Sequence, residues 1–512
     1  LNSRRLAREL LLKPPRENSS NENGNVVAVM KTAREIERRI LQHLHGHRSR
    51  IHLTQIHAHF LRHHLHQSNL ILSHFVSVCA SLRQMDYAHL LFLQTQHPNI
   101  LLFNSIIKAY SLSPPSHNSL HLFSHMKKRR IWPDQFTFAP LLKSCSNLCD
   151  LNFGKTVQAQ VLSLGFHCFR AVRIGLVELY VNCGKLDDAN KVFDEMRERD
   201  VIVWNLMISG YCKNGNVDMG YNLFKEMGER SIVSWNTMLS CLSKSGREGE
   251  ALKVFHEMCH SGFEPDEATV VTMLPVCARL GEDDVGQWIH SYAKSGKLYE
   301  KHVSVGNSLV DFYCKRGLLD AAFTVFNDMP LRNVVSWNAM ISGLAFNGRV
   351  EEGLALFDEM IKKGLTPNES TFVGVLTCCV HSGLIQRGKD LFSSMVSNHQ
   401  IKPKLEHYGC MVDLLGRGGS MKEAYELILS MPMKPNAALW GALLSSCHNH
   451  GDMEVAEVAV KELMILEPRN SGHYVLLSNI YAEKGKWDEV EKIRLLMMKR
   501  NINKSAGQSI IR

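Results

Sequence analysis

The stretch VVSWNAMISG, residues 334–343, decides how this chain is read. Nearly the same phrase returns as VIVWNLMISG at 201–210 and SIVSWNTMLS at 231–240, with a weaker echo in ILLFNSIIKA at 100–109. Each copy sets an aromatic residue before an amide and opens an apolar run. A phrase recurring at a regular period marks a repeat architecture. From Phe103 to Trp204 is 101 residues, from Trp204 to Trp235 is 31, from Trp235 to Trp337 is 102, and from Trp337 to Trp440 is 103. Shorter units hide inside the long intervals, because F-x-[D/E]-M recurs between the anchors as FDEM 193–196, FKEM 224–227, FHEM 255–258, FNDM 326–329 and FDEM 357–360. The unit is therefore 31 to 36 residues long, its length alternating in a rhythm of three.

Within a unit the apolar spacing is helical. Trp337, Met340, Ile341 and Leu344 recur at three- and four-residue steps, and Val350, Leu354, Leu356 and Phe357 do so after a break at Asn347-Gly348. Two helices per unit follow. The breaks NCG 182–184, KNG 213–215, KSG 244–246, KRG 315–317 and FNG 346–348 put Gly where a first helix must stop in the left-handed conformation. Pro133, Pro265, Pro367, Pro403 and Pro435 stand near unit ends and are expected to close the second helix. The predicted fold is all-α, a right-handed superhelical α-solenoid of stacked antiparallel helix pairs.

A chain of 512 residues would need an unusually large single core, but stacked repeats bury their apolar faces on their neighbours instead. No apolar run approaches the ~18 residues that a spanning helix needs, so no membrane partner is expected. The net charge of +9 is a weak nucleic-acid signal, because eleven Lys/Arg against five Glu in residues 1–50 leave only +3 for the other 462 residues. The fourteen cysteines are scattered with no C-x-x-C pair, which suits a reducing compartment, and the adjacent Cys378 and Cys379 read as buried filling. Arg4, Arg5 and Arg8 beside Leu6, Leu10 and Leu11 suit an organelle-targeting segment within residues 1–50, with Glu9, Glu17 and Glu22 against type and Met30 as an alternative start.

These phrases resemble plant organellar pentatricopeptide-repeat (PPR) proteins of the class whose repeats alternate in length. The resemblance rests on WN-x-MISGY, on FTFAPLLKSCSNLCDLNFGKTVQAQVLSLGF (136–166), and on a C-terminal run from EHYGCMVDLLGRGG through SGHYVLLSNIYAEKGKWDEVEKIRLLM that is similar to the family's last S-type repeat and paired E motifs. It implies an incomplete L-type unit near 51–68, then S 69–99, P 100–134, L 135–169, S 170–200, a short unit 201–231, P 232–266, L 267–302, S 303–333, P 334–368, L 369–404 and S 405–436. A repeat array over 51–436 and E motifs over 437–512 follow from this framing.

The resemblance also implies single-stranded RNA binding, one base per repeat, read by the fifth residue of a unit with its last. An amide offers both donor and acceptor to the edge of an unstacked base. Carried over, Ser73/Asn99 favours adenine, Asn104/Asp134 uracil, Asn205/Ser231 cytosine and Asn236/Asp266 uracil, while Asn307/Asn333 and Asn338/Asn368 favour a pyrimidine; the implied target is A-U-n-n-C-U-n-Y-Y. Asn is also a favoured helix cap, and Ser336 could cap beside Asn338. Yet Asn205 persists where Val203 replaces that serine, so capping alone does not account for the amide. Asp134 and Asp266, each after Pro, suit a cap and a base reader equally. Ile174 departs from the expected Asn, although Asp200 fits. The L-type units present Ala139, Val271 and Val373, which cannot read an edge by hydrogen bonding, and Gly409/Asn436 is left unassigned.

Two apparent metal motifs give way to the repeat. HEMCH at 256–260 satisfies H-E-x-x-H, but Glu257 is only the acidic slot of F-x-[D/E]-M. The histidines at 43, 45, 47, 52, 57, 59, 63, 64 and 66 fall in a segment with the apolar spacing of an L-type unit. No H-x-E with C-x-x-C is present for a zinc deaminase. The expectation is therefore a monomeric, non-catalytic protein without metal or cofactor, acting in the mitochondrion (alternatively the chloroplast) as a recognition factor for C-to-U editing. Because the sequence stops at KSAGQSIIR after the second E motif, a deaminase-bearing PPR protein or other editing factor would be recruited in trans. The alternatives are an RNA splicing, stability or translation factor, or a tetratricopeptide-like protein scaffold; the latter would have uniform repeats of ~34 residues and no reason to keep one amide slot.

Overall fold

A computed structural model describes residues 50–62 and 65–500. The expected targeting segment with Met30, the histidines at 43, 45, 47, 63 and 64, and residues 501–512 lie outside them. Among the described residues every regular element is helical, and the chain forms two bodies, one ending at Ser231 and the other starting at Ile232.

In the first body, the helices Asn69–Ser81, Ile100–Leu112, Gln135–Leu148, Arg170–Asn182 and Val201–Lys213 each pack on the next and form one layer. Each is followed after a short turn by a second helix, such as Met85–Gln94 or His117–Lys128, that packs on its own partner. The second body repeats this plan: Ile232–Lys244, Glu267–Leu280, Val303–Lys315, Val334–Phe346, Glu369–Ser382, Leu405–Arg417, Ala437–His450 and Ser471–Glu483 make the continuous layer. Tight turns between amphipathic helices fold each pair into an antiparallel hairpin. The turns carry the predicted glycines in the left-handed region, Gly184 at φ +70°, Gly215 at +84°, Gly246 at +71°, and Gly317 and Gly348 both at +75°.

The prolines act differently from the expectation. The second helices end at Lys128, His260 and Lys362, several residues before Pro133, Pro265 and Pro367. Each proline instead directly precedes the residue that caps the next first helix. The proline ring disfavours the α region for the residue before it and fixes its own φ, so it leads the chain into the cap rather than stopping the helix behind it.

The repeated aromatic now has a structural reason. Trp337 is 1% exposed and meets Phe326 of the preceding FNDM phrase edge to face, with ring centroids 5.1 Å apart. Phe193 meets Trp204 at 5.0 Å, and Phe92 meets Phe103 at 5.0 Å, in the same way. At these three joints one unit hands an aromatic edge to the next, a geometry favoured by the ring quadrupoles. The residue after the aromatic is turned about 100° around the helix, which carries the amide out of this core.

Close approach within the first-helix layer depends on glycine at one recurrent place. A Cβ added at Gly343 would lie 2.2 Å from Cys314 Sγ and 2.5 Å from its Cβ. Gly343→Ala is therefore expected to destabilise the second body by about 1–3 kcal/mol, seen as a lower denaturant midpoint; an unchanged midpoint would mean that the two helices can part without loss.

Cys378 and Cys379 are both fully buried, and burial pushes their thiols up to about 12 and about 11. They fill core space as uncharged groups. His57 Nδ1 lies 2.6 Å from the Tyr87 hydroxyl, and burial, followed by the charge of His66, holds its imidazole below the ordinary histidine range.

Candidate nucleic-acid interface

The last residue of most units is the N-cap of the next first helix. Asn99, Asp134, Asp200, Asp266, Asn333, Asn368 and Asn436 all have extended backbone and accept from the N–H three residues on. The distances run from 2.9 Å for Thr137, Val203 and Thr269 to 3.1 Å for Leu102, Ser336, Thr371 and Leu439. Asn338, by contrast, is five residues into its helix and is no cap; Asn333 takes that role with Ser336 in a capping box. Capping therefore explains the last residue of the unit and leaves the fifth unexplained.

Three of the predicted pairs meet directly. Asn104 Nδ2 donates to Asp134 Oδ1 at 3.0 Å, Asn236 Nδ2 to Asp266 Oδ1 at 2.9 Å, and Asn338 Nδ2 to Asn368 Oδ1 at 3.0 Å. Asp134 and Asp266 do both jobs at once, capping one helix and gripping the amide of another. The amide orientation is fixed by chemistry, since an ionised carboxylate only accepts. At the third junction Asn368 Oδ1 already accepts from Thr371 N–H, so the same edge is again an acceptor.

Sequence reasoning missed a third member. The hydroxyls of Thr137, Thr269 and Thr371 donate to Oδ1 of Asn104, Asn236 and Asn338 at 2.6, 2.6 and 2.7 Å. The signal lay in the parallel phrases D-Q-F-T (134–137), D-E-A-T (266–269) and N-E-S-T (368–371), each the last residue of a P-type unit followed by the first three of an L-type unit.

Other predicted site residues stand differently. Ser73 is 5% exposed and donates to the Leu70 carbonyl of its own helix at 2.7 Å, while Asn99 caps the next helix. The Oδ1 atoms of Asn205 and Asn307 are buried without a hydrogen-bond partner. In the unit carrying Ile174, Asp200 is paired with Arg170.

A cavity of about 680 Å³ in the second body is lined by Asn307, Asn338 and Asn368 together with Asp311, Lys315 and Val335. Val335 is 55% exposed and is the second residue of its unit. Leu70, Leu101, Phe136, Ile202 and Val233 hold the same place and are likewise exposed. A large apolar side chain is thus left bare beside the polar slot in repeat after repeat. Among the described residues no three His, Cys, Asp or Glu side chains gather as metal ligands, and His260 Nδ1 lies 2.7 Å from the His256 carbonyl of its own helix.

Burial would raise the Asp266 carboxyl, but hydrogen bonds from Thr269 N–H, the Asn236 and Thr269 side chains and Ala268 N–H outweigh it and hold the group below its ordinary range. A carboxyl depressed in the folded state contributes stability above its unfolded pKa and loses it as pH falls through the folded value. Acidification below about pH 4 should therefore loosen this junction. Asp266→Asn, which installs the neutral arrangement seen at Asn368, should flatten that acid-side loss in denaturation midpoints measured against pH; an unaltered slope would place the acid sensitivity elsewhere.

Family models match along most of this layer. The PPR repeat family covers 230–279 and 332–381, the PPR repeat 175–201, 202–232, 307–334 and 406–434, the pentatricopeptide repeat domain 94–147, and the E motif 450–512. Pentatricopeptide repeat-containing protein At1g09190 of Arabidopsis thaliana is 57% identical over 93% of this chain and 99% of its own length. At2g22410 of the same plant, a pentatricopeptide repeat-containing protein named as mitochondrial, is 41% identical over 85% of this chain and 64% of its own length. The crystal structure of maize PPR10 with an 18-nt psaJ RNA element has a TM-score of 0.47 and 17% identity, covering 85% of this chain and 75% of that one. The chain belongs to the pentatricopeptide-repeat family and carries an E motif over residues 450–512.

Proposed function

We propose that this protein binds single-stranded RNA in a sequence-specific manner and serves as a site-recognition factor for C-to-U editing in a plant organelle. The observation that carries the RNA-binding part is the repeated slot of an oriented amide beside an exposed apolar residue. The amide keeps one N–H and one oxygen lone pair for a base edge, and the apolar neighbour offers a face on which an unstacked base can lie. The base-reading residues are then Asn104/Asp134, Asn236/Asp266, Asn338/Asn368, Asn205/Ser231 and Asn307/Asn333, with Ser73/Asn99 at the first position.

In this reading the protein performs no chemistry. The array of residues 51–436 holds the transcript, and the E-motif helices from Ala437 onward dock a deaminase-bearing partner. Mitochondrial action is favoured by the naming of a relative, with the chloroplast as the alternative.

Selection from a randomised RNA pool by the purified chain tests the binding reading. Recovered sequences should share A-U-n-n-C-U-n-Y-Y, and recovery without any common sequence would overturn it. For editing, organellar transcripts from plants with and without the protein are compared, and one cytidine should lose conversion in its absence. Full editing at every site with altered transcript processing would replace editing by a splicing, stability or translation role.

A further inference from the structure

The geometry points to the third residue of each L-type unit, Thr137, Thr269 and Thr371, as a positioning residue that fixes the base-reading amide of the unit before it. This rests on the reading of Asn104, Asn236 and Asn338 as base readers. All three threonines are 0% exposed, so none can touch RNA, and any influence must pass through the amide.

The proton count determines what each hydroxyl can do. A threonine hydroxyl has one proton to give and lone pairs to receive. At each junction it accepts from the cap backbone, Asp134 N–H at 3.1 Å, Asp266 N–H at 3.2 Å and Asn368 N–H at 3.0 Å. Its proton then has two acceptors within reach, the amide oxygen at 2.6 to 2.7 Å and the cap oxygen at 2.9 to 3.0 Å. The shorter contact goes to the amide in every case. The cap fixes the nitrogen end of the amide and the threonine fixes its oxygen end, so neither rotation nor a half-turn of the plane is left open. The base meets a donor and an acceptor in a set order.

Junctions without this threonine differ. Asn307 precedes a unit whose third residue, Ser336, donates to its own cap Asn333 at 3.2 Å, and Asn307 Oδ1 has no partner. The L-type units therefore take part in readout although Ala139, Val271 and Val373 present no polar group at the reading position. Their contribution is a hydroxyl lent backward across the junction.

The test uses the full chain and RNAs carrying each of the four bases at the nucleotide facing Asn236. Asp266→Ser identifies that nucleotide, because it changes the reading pair while retaining a capping side chain. Thr269→Val should lower discrimination among bases there by roughly fivefold, the scale of one lost hydrogen bond, and leave preferences at the other nucleotides intact. Thr269→Ser should restore it. A general loss of stability would weaken all four RNAs alike and leave the ratio unmoved; that outcome in both valine variants, or an unchanged ratio with unchanged affinity, overturns the proposal. Thr371→Val is measured alongside at an independent junction, so a folding defect in one variant does not decide the matter. If Asp266→Ser alters no nucleotide preference, base reading itself fails and the proposal falls with it. If Asp266→Ser acts and neither valine variant does, only the role of the threonines is lost.

Discussion

Trp337→Ala should destabilise the second body by about 3–5 kcal/mol, whereas Trp337→Phe should lose only roughly 1 kcal/mol through the smaller volume. The indole is 1% exposed, stands edge-on to Phe326, and carries Lys363 Nζ 4.9 Å from its ring centroid. Removing it leaves a cavity at the joint between two units. The indole N–H has no hydrogen-bond partner, so phenylalanine gives up no polar contact, and Phe103 already fills the equivalent place in an earlier unit. Because a repeat array is held together by neighbour-to-neighbour terms, the loss should split unfolding into separate steps. Denaturation followed by circular dichroism reads both the midpoint and the number of steps. Equal midpoints for the alanine and phenylalanine variants would show that the aromatic joint carries little of the stability.

Asp266→Ser should shift the base preferred at one nucleotide from uracil to cytosine, by about tenfold in relative affinity, with the fold intact. Serine caps a helix about as well as aspartate, so the first helix of the L-type unit still starts at Glu267. What changes is the group facing Asn236 Nδ2. The carboxylate that now accepts from it at 2.9 Å is replaced by a shorter hydroxyl able to donate as well as accept. The pair then matches Asn205/Ser231. Competition binding with RNAs that differ at that single nucleotide measures the shift. If uracil stays preferred while affinity drops for every RNA, the aspartate acts in folding alone.

Much of the fold was legible because repetition shows each signal several times. Gly184, Gly215 and Gly348 end helices as their placement predicted, and Phe103, Trp204 and Trp337 of the FN and WN phrases each meet a phenylalanine of the unit before. The prolines were misplaced by one function, since a proline near a boundary is compatible with leaving one helix or approaching the next. Only the positions of Lys362, Pro367 and Asn368 separate the two. The pairing of fifth and last residues was legible at Asn104, Asn236 and Asn338, but Ser73 turns inward to its own backbone, and a single hydroxyl in a sequence carries no sign of where it points. Thr269 was invisible for another reason. Its partner Asn236 lies 33 residues away, and the contact exists only once two helices of different units stand side by side.

The double duty of Asp134, Asp266 and Asn368 constrains how this protein can change over evolution. A side chain in that place must start a helix before it can contribute to reading anything, so the available alphabet is confined to the few short polar residues that do so. Where a unit ends in Phe169 or His302 instead, no side chain caps the following helix, and the preceding fifth residues, Ala139 and Val271, carry no polar group. If the proposed base reading holds, retargeting by single mutations is open among Asn, Asp and Ser and closed to larger residues, so that drift between related RNA sequences is gradual and the scaffold stays folded throughout.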